Sequence, residues 1–312
     1  EEFFPSINFG RVRGFFIKNR DFALHEDVAT TIAQIACVDG ALPQGSPCSP
    51  VLSNLIGSVL DVRLVHLAAA AGCTYSRYAD DLTFSTNKKT FPTEVAAVSP
   101  GSPHSWQPSD ELVEVIQRAG FSINASKTQM MYRNSRQGVT GLVVNRKINI
   151  RSEYRRTVRA MVHRLIKTGA FEVLRPTLNG GTLVLQKRLG RPNELHGMLG
   201  FINGIDEFNH NLNPADVPDG LVKKESSYRQ FLLYSQFYVA PAPLMVWEGD
   251  TDNVYLSHAI RSLASQYLDL TEIKKGGNIQ LKVRLYKYPR TSTARILGLH
   301  DGGTGGLKHF IF

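Results

Sequence analysis

Two adjacent aspartates, Asp80 and Asp81, are the residues of this sequence best suited to metal-dependent chemistry. Residues 74–86 alternate like two short strands around a tight turn, which places the pair at the tip of a predicted hairpin. Carboxylates ~4 Å apart repel by roughly 1 kcal/mol in water and by about 4 kcal/mol at an effective dielectric of 20. Divalent cations offset this repulsion and can align the oxygens of a phosphoryl transfer. For the dipeptide alone, a solvated Asp-Asp turn is the alternative.

A second acidic cluster, residues 248–252, follows a predicted buried strand, Pro243–Trp247, and precedes a predicted helix. Active sites of open α/β sheets gather at the carboxyl ends of strands. Alternate residues of an extended backbone share one side, so Glu248, Asp250 and Asp252 are predicted to offer three oxygen ligands suited to magnesium. Two alternatives stay open, because Asp252 could cap the helix and Asp250 could be a turn residue.

A third candidate is a basic helix predicted over 152–167. Its apolar stripe recurs at helical spacing and consists of Tyr154, Val158, Met161, Val162 and Leu165. Its other face carries the cations Arg155, Arg156, Arg159, Arg164 and Lys167. This face is predicted to bind nucleic acid in a salt-dependent manner, because phosphate contacts supply most such affinity. For any single arginine, a solvated surface position is the alternative.

The composition favours a polyanionic partner. The chain has 36 Lys and Arg against 27 Asp and Glu, a net charge of +9, which favours nucleic acid first and an anionic membrane second. No apolar run approaches the ~20 residues that span a bilayer, so no membrane partner is predicted. The three cysteines, Cys37, Cys48 and Cys73, form no metal-binding pattern and are predicted to be reduced thiols of a cytosolic protein.

Flanking elements position these candidates. Helices are predicted over 26–37, 49–71 and 110–119, strands over 128–133 and 139–150, and an exposed Pro/Ser-rich insertion over 90–109. Beyond a linker-like segment, 211–220, a strand at 243–247, a helix at 253–268 and a strand at 281–287 follow. This β-α-β order indicates a small α/β unit.

Four short motifs resemble those of the reverse transcriptase palm, and they occur in the family's order. They are Glu-Glu-Phe-Phe-Pro-Ser-Ile at 1–7, Leu-Pro-Gln-Gly-Ser-Pro at 42–47, Tyr-Ala-Asp-Asp at 78–81 and Asn-Ala-Ser-Lys-Thr at 124–128. The resemblance implies that Asp80 and Asp81 hold catalytic Mg²⁺.

The resemblance also implies roles for other residues. Gln44 and Gly45 would line the nucleotide site, and Tyr78 would pack near the primer end. Lys127 would contact or protonate the leaving pyrophosphate, with a solvated lysine as the alternative. Phe4 would be the aromatic gate against a ribose 2′-hydroxyl, with an ordinary core aromatic as the alternative.

One departure concerns the family's first metal-binding aspartate. It would lie two positions before Glu1, and neither Glu1 nor Glu2 has the register to replace it. We therefore expect that the chain is cut at both ends and that these 312 residues alone are inactive.

Residues 138–145 resemble the retron group of bacterial reverse transcriptases, in which Thr140 belongs to a Val-Thr-Gly signature. This resemblance implies a structured non-coding RNA as template and primer, an RNA-linked DNA product and a bacterial cytoplasmic location. It leaves room for a homo-oligomer. Helix 152–167 would belong to the thumb.

The C-terminal segment resembles the TOPRIM nuclease fold, where a glutamate in the position of Glu248 follows the first strand. The glycine-rich residues 302–306 are similar to a later turn of its overcoming-lysogenization-defect (OLD) branch. The fold's Asp-x-Asp pair does not follow Gly306 within the sequence, and Asp301 is a weak substitute.

The predicted fold is therefore α+β, with a palm at 1–145, a helical thumb at 146–238 and an incomplete α/β TOPRIM-like domain at 239–312. The predicted function is that of a retron polymerase fused to a nuclease used in anti-phage defence. Two alternatives stay open: a non-catalytic RNA-binding scaffold with a relic palm, and a polymerase whose C-terminal part only mediates protein interaction.

Overall fold

The computed structural model describes residues 3–101, 105–179, 182–212, 221–286, 292–299, 307 and 310, with the backbone alone for 178, 179, 182, 221–226, 250 and 292. Glu1, Glu2, the linker residues 213–220, Asp301 and the glycine-rich segment 302–306 lie outside these residues. The chain divides into two compact units, Glu1–Gly141 and Leu142–Phe312. Helices and short strands occur in both, which confirms the predicted α+β class.

The first unit combines five helices with short strands among its described residues. The helices are α1 (Phe3–Ser6), α2 (Phe9–Lys18), α3 (Glu26–Ala36), α4 (Ser49–Ala71) and α5 (Asp110–Arg118). The strands are β1 (Thr74–Tyr78), β2 (Asp81–Ser85), β3 (Ala96–Val98), β4 (Trp106–Pro108) and β5 (Gly138–Val139). β1 pairs with β2 and β3 with β4, both antiparallel. The predicted strand at 128–133 is wrong, because these residues form turns and irregular backbone.

Helix α4 contributes buried residues to both hydrophobic clusters of the first unit. Pro50 lies in its first turn, where a missing N–H needs no partner, and Gly72 ends it in the left-handed region with a φ of +66°. By length and composition alone α4 could cross a membrane. Its two halves are, however, embedded in the two hydrophobic clusters of the unit, as expected for the core helix of a globular domain.

The Pro/Ser-rich segment 90–109 is only partly the exposed insertion that its composition predicts. Strands β3 and β4 form a hairpin within it, and Val95 is buried in the cluster shared with α4 and α5. The rings of Phe91 and Trp106 meet edge-on, with centroids 5.9 Å apart. Ser109, rather than Asp110, is the N-cap of α5, since its side chain accepts a hydrogen bond from the Leu112 amide.

The second unit is built on one hydrophobic cluster. Its helices are α6 (Ser152–Thr168), α7 (Pro192–Leu212), α8 (Leu221–Leu233, continued by a π-helical turn, Tyr234–Tyr238), α9 (Asp250–Ser262) and α10 (Ser292–Leu297). Its strands are β6 (Leu142–Val143), β7 (Glu172–Asn179), β8 (Thr182–Leu189), β9 (Leu244–Met245), β10 (Thr271–Ile273), β11 (Ile279–Leu281) and β12 (Arg284–Leu285). β7 pairs antiparallel with β8, and β10 with β11.

Residues 146–238 and 239–312 were predicted to be two domains, but both contribute to one hydrophobic cluster. The apolar stripe of α6 shares its cluster with α7, α8 and the C-terminal residues Tyr286, Leu297 and Leu299. The two segments bury the same apolar surface, and they therefore form one compact unit. Their division by function stays a prediction.

The predicted β-α-β order near the C-terminus is confirmed in part, because the unpredicted hairpin of β10 and β11 lies between α9 and β12. Strands β9 and β12 pair in parallel, with Leu244 opposite Arg284, and α9 lies between them in the chain. Parallel neighbours require such a crossover connection. The strands are shorter than predicted, and α9 begins at Asp250 instead of Asn253.

Candidate functional site

Asp80 and Asp81 lie at the tip of the β1–β2 hairpin, as predicted. Tyr78 pairs with Asp81, so Ala79 and Asp80 form a two-residue loop. Such loops need a positive φ at one or both central positions, where glycine is usual, yet Ala79 holds a φ of +51°. This conformation costs a residue with a Cβ about 1–2 kcal/mol. Other contacts must therefore hold the turn in place.

The two carboxylates are available to a ligand. Asp80 and Asp81 are both exposed, and Tyr78 beside them is 71% exposed. Hard carboxylate oxygens suit a divalent cation such as Mg²⁺, which would also offset the repulsion between the neighbouring charges. Among the described side chains, no three acidic, histidine or cysteine residues group closely enough to hold a metal ion. The pair thus fits part of a cation's coordination shell, and the other ligands lie outside the described side chains.

Arg77 fastens the hairpin to α4. Its Nε donates to Asp61 Oδ1 and its Nη2 to Asp61 Oδ2, each at 2.7 Å. Its Nη1 donates to Asn54 Oδ1 at 3.2 Å and to the Ala79 carbonyl oxygen at 3.1 Å. The Arg77 side chain is 7% exposed. Removing one partner of a partly buried, bidentate pair costs more than the about 1 kcal/mol of a surface pair, so the hairpin is firmly anchored.

The anchor is ionised at neutral pH. Burial alone would raise the pKa of Asp61, but hydrogen bonds from Arg77 and Tyr75 outweigh it and hold that pKa below its ordinary value. The hydrogen bond to Asp61 raises the pKa of Arg77. Burial, and then the hydrogen bond that its hydroxyl donates to Asp61 Oδ1 at 2.8 Å, raise the pKa of Tyr75. All three shifts favour the observed bonding pattern.

Sequence spacing does not identify Asp61 and Arg77 as part of this site, because 16 residues separate them. A signal nevertheless exists in the sequence. Asp61 is the single acidic residue of the apolar helix α4. A carboxylate on an apolar helix that is packed against a core needs a charged or hydrogen-bonding partner. Arg77 is the basic residue nearest to the hairpin tip in the sequence.

The loop 42–47 has the backbone that its glycine predicts. Gly45 has a φ of +90°, and a Cβ there would meet no atom within 4 Å. The positive φ therefore requires glycine at this position, whereas a Cβ would not clash with any neighbouring atom. The space beside Gly45 is open. Gln44 is exposed next to it. The Ser49 hydroxyl donates to the Pro43 carbonyl oxygen at 2.7 Å, which fixes the loop to the start of α4.

Phe4 has the surroundings of a core aromatic residue. It lies half-buried in α1, and its ring meets that of Phe3 edge-on at 5.4 Å. Phe3 in turn stacks on Phe121 at 5.5 Å, and all three rings pack against the cluster formed by α2, α3 and α4. The role of Phe4 as a gate against ribose stays a prediction.

Lys127 lies in an exposed turn after α5. The side-chain oxygen of Asn124 accepts from the Ser126 amide at 3.1 Å and from the Ser126 hydroxyl at 2.6 Å. The Lys127 amide donates to the Asn124 carbonyl oxygen at 3.1 Å. Asn124 thus defines the turn that presents Lys127, whose contact with a triphosphate stays a prediction.

The basic face of α6 is smaller than predicted, because Arg155 does not belong to it. Arg155 Nη1 and Nη2 donate to the two carboxylate oxygens of Asp206 at 2.7 and 2.6 Å, and Nη2 also donates to Asn149 Oδ1 at 3.1 Å. The side chains of Arg155 and Asp206 are 22% and 16% exposed. The guanidinium of Arg155 is thus engaged within the unit, and its predicted contact with phosphate stays a prediction without geometric support.

The remaining predicted cations of α6 are exposed. They are Arg156, Arg159, Arg164 and Lys167. Arg164 lies 3.3 Å from Glu172, and Arg156 lies 3.9 Å from Glu153, both at the surface. Surface pairs of this kind contribute at most about 1 kcal/mol and exchange readily for phosphate. The apolar stripe on the opposite face of α6 is buried as predicted.

The acidic segment 248–252 is not extended, so the predicted alternation of its side chains is wrong. Helix α9 begins at Asp250, and residues two apart on a helix do not face one another. Asp252 caps this helix, since its Oδ2 accepts a hydrogen bond from the Gly249 amide at 3.1 Å. Glu248 is exposed, and the side chain of Asp250 lies outside the described residues. Their role as metal ligands stays a prediction without this geometric support.

The sequence profile of the reverse transcriptase (RNA-dependent DNA polymerase) family matches residues 29–169. Just under half of the chain, residues 29–169, is thus similar to this family. The matched range includes the Asp80–Asp81 hairpin, its Arg77–Asp61 anchor, loop 42–47 and Lys127. Apart from Phe4, the predicted site residues of the first unit therefore all lie in the range that matches this family.

Proteins similar to this chain include several retron reverse transcriptases. The Retron Mx65 reverse transcriptase of Myxococcus xanthus is 33% identical over 198 residues, which cover 58% of this chain and 43% of that protein. The Retron Ec86 reverse transcriptase of Escherichia coli is 34% identical over 166 residues, which cover 53% and 47%. The Retron Mx162 reverse transcriptase of Myxococcus xanthus is 36% identical over 163 residues, which cover 46% and 32%. The chain thus spans less than half the length of these relatives.

Proposed function

We propose that this protein is the RNA-directed DNA polymerase of a bacterial retron and copies a structured non-coding RNA into branched, RNA-linked DNA. One observation carries the proposal: an exposed carboxylate pair, Asp80 and Asp81, on an anchored hairpin of a reverse transcriptase domain. Similarity to retron reverse transcriptases supports RNA as the template. The reaction is the attack of a primer hydroxyl on the α-phosphate of a deoxynucleotide, with pyrophosphate leaving.

The reverse transcriptase domain supplies the groups that this reaction needs. Magnesium, when bound, would provide Lewis-acid stabilisation of the phosphoryl oxygens. Asp80 and Asp81 would hold the cations, while Gln44 and the open backbone at Gly45 would line the nucleotide site. Lys127 would donate a proton or a hydrogen bond to the leaving pyrophosphate.

Three other features fit the same proposal. Tyr78, exposed beside the carboxylates, would contact the primer end, and Phe4 would limit the space at the ribose. The exposed cations of α6, namely Arg156, Arg159, Arg164 and Lys167, would contact phosphates of the template duplex. We place the activity in the bacterial cytoplasm, with no membrane partner and with a homo-oligomer as one form of the assembly.

Primer extension tests the polymerase. The full-length protein should extend a primer on an RNA template with deoxynucleotides in Mg²⁺. Excess EDTA should stop the reaction, because only the cation stabilises the developing negative charge, which the anionic carboxylates by themselves repel. Adding back Mg²⁺ should restore it. A protein that binds the RNA but makes no DNA in Mg²⁺ or Mn²⁺ would instead be the non-catalytic scaffold.

A second activity is proposed for the C-terminal part, which we infer to be a TOPRIM-like nuclease used in anti-phage defence. The parallel pairing of β9 with β12 across α9 supports an α/β unit, and Glu248 lies exposed after β9. Such a position is typical of active-site residues in α/β folds. In this proposal the retained RNA–DNA product restrains the nuclease until infection disturbs it.

Replacing Glu248 tests the nuclease separately. Glu248→Ala should abolish toxicity in cells and nuclease activity of the full-length protein, while DNA synthesis stays unchanged because the polymerase residues are untouched. Glu272→Ala is the matched control, because it removes another exposed acidic side chain of the same C-terminal part. This variant should keep both the nuclease activity, with its toxicity, and DNA synthesis. If Glu248→Ala stays fully toxic, the C-terminal part serves protein interaction instead.

A further inference from the structure

We propose that Arg77 is a positioning residue of the polymerase site: held by Asp61, it clamps the Ala79 carbonyl and thereby fixes the turn that presents Asp80 and Asp81. This inference rests on the proposed polymerase function and adds a requirement to it. Asp80 and Asp81 would bind the cation in the catalytic geometry only while the backbone of Ala79 keeps its unfavourable left-handed conformation.

The turn itself gives the first argument. Ala79 has a left-handed φ of +51° in a two-residue loop where glycine is the usual residue. A residue with a Cβ stays in that region only where its surroundings hold it. The carbonyl oxygen of Ala79 accepts a hydrogen bond from Arg77 Nη1 at 3.1 Å, so the clamp acts on the unfavourable residue directly.

The second argument is that hydrogen bonds to Asp61 and Asn54 hold the Arg77 guanidinium in one orientation. Asp61 binds it through two parallel hydrogen bonds of 2.7 Å, and Asn54 takes a third at 3.2 Å. A planar guanidinium held in this bidentate manner cannot rotate, whereas the ammonium of a lysine could satisfy Asp61 and still release the Ala79 carbonyl. The clamp is therefore specific to arginine.

The third argument is Gly57. This glycine lies inside the long helix α4, where glycine is unfavourable, and it is buried. A Cβ at Gly57 would lie 2.8 Å from Arg77 Nη2 and 2.9 Å from its Cζ. The helix thus leaves room for the guanidinium at this one turn, and an alanine there would push Arg77 away without removing any polar group.

Gly57→Ala provides the test, with Gly14→Ala as its matched control. Gly14 also lies inside a helix, α2, and a Cβ there would meet no atom within 4 Å. We expect Gly57→Ala to lower kcat of primer extension about tenfold to a hundredfold, since small misplacements of catalytic groups have effects of this size. KM for the deoxynucleotide should stay nearly constant, and the Mg²⁺ concentration for half-maximal rate should rise.

A readout without catalysis separates positioning from general destabilisation. Mn²⁺ binding to the full-length protein, followed by electron paramagnetic resonance, should weaken in Gly57→Ala and not in Gly14→Ala, at temperatures where both are folded by circular dichroism. Should Gly57→Ala fail to fold, Arg77→Lys carries the same measurements, because it keeps the charge beside Asp61.

The outcomes are distinguishable. Wild-type kcat, Mg²⁺ requirement and Mn²⁺ affinity in the folded Gly57→Ala or Arg77→Lys variant would overturn the inference, as would a kcat that falls only in step with thermal stability. Absence of DNA synthesis by the wild-type protein would refute the proposed function instead. In that case the Mn²⁺ measurement alone decides whether Arg77 positions the carboxylates.

Discussion

Replacing Asp80 or Asp81 with asparagine should abolish DNA synthesis by the full-length protein while leaving its fold intact. Both side chains are exposed, so the amide has no packing to disturb. Cation coordination supplies several kcal/mol of transition-state stabilisation, and each ~1.4 kcal/mol is a factor of ten in rate. We therefore expect kcat to fall by at least about a thousandfold for either substitution. Steady-state primer extension measures this loss.

Asp21→Asn is the matched control, because Asp21 is another exposed aspartate of the first unit and lies outside the site. It should keep wild-type kcat. Because the hairpin is anchored through Arg77 and not through the aspartates, thermal unfolding of the two asparagine variants should match that of the wild-type protein. Persistent DNA synthesis by both asparagine variants would remove the basis of the proposed polymerase site.

Arg155→Ala should destabilise the second unit rather than weaken RNA binding alone. The substitution leaves the Asp206 carboxylate, 16% exposed, without its bidentate partner. Removing one member of a partly buried pair costs more than the about 1 kcal/mol of a surface pair and less than the about 3–5 kcal/mol of a fully buried one. For a unit of this size we expect a fall in Tm of roughly 5–10 °C. Differential scanning calorimetry of the full-length protein measures the shift.

Arg159→Ala serves as the comparison, since Arg159 lies one turn later on α6 and is exposed. Its effect on stability should stay within about 0.5 kcal/mol. It should weaken RNA binding and reduce the slope of log affinity against log salt by about 1. If Arg155→Ala instead keeps the wild-type Tm and reduces the salt slope, Arg155 contacts phosphate, as the sequence alone predicted.

Local patterns were sufficient for the elements that position the catalytic pair. Helix α4 was predicted over its observed length, because its apolar residues recur at helical spacing and Ser49-Pro50 marks its start. The hairpin was predicted from alternation over 74–86, and the structure confirms it. The metal-binding role of Asp80 and Asp81 follows from the resemblance to the reverse transcriptase palm and stays a prediction. These features depend on residues close together in the chain.

Predictions failed where one short-range pattern was compatible with two structures. Residues 248–252 were predicted to be extended, but the Asp252 carboxylate accepts a hydrogen bond from the Gly249 amide. The helix begins at Asp250, three residues earlier than expected. The composition of 90–109 predicted an exposed insertion. Val95 of this segment nevertheless packs in the hydrophobic cluster that α4 and α5 share. In both segments a specific contact decided the structure, although the alternation or composition of the segment favoured another one.

The sequence by itself therefore determined the α+β class, the hairpin with its two aspartates and the resemblance to reverse transcriptases. Only the tertiary structure decided which charged residues are free to act. Arg155 and Arg159 are indistinguishable in a helical pattern, but Asp206, 51 residues beyond Arg155, removes the first from the surface. Likewise Asp61, 16 residues before Arg77, makes that arginine a support for the catalytic turn. A charged side chain takes its role from the partner that folding brings within hydrogen-bonding distance, and that partner is not encoded in its neighbours along the chain.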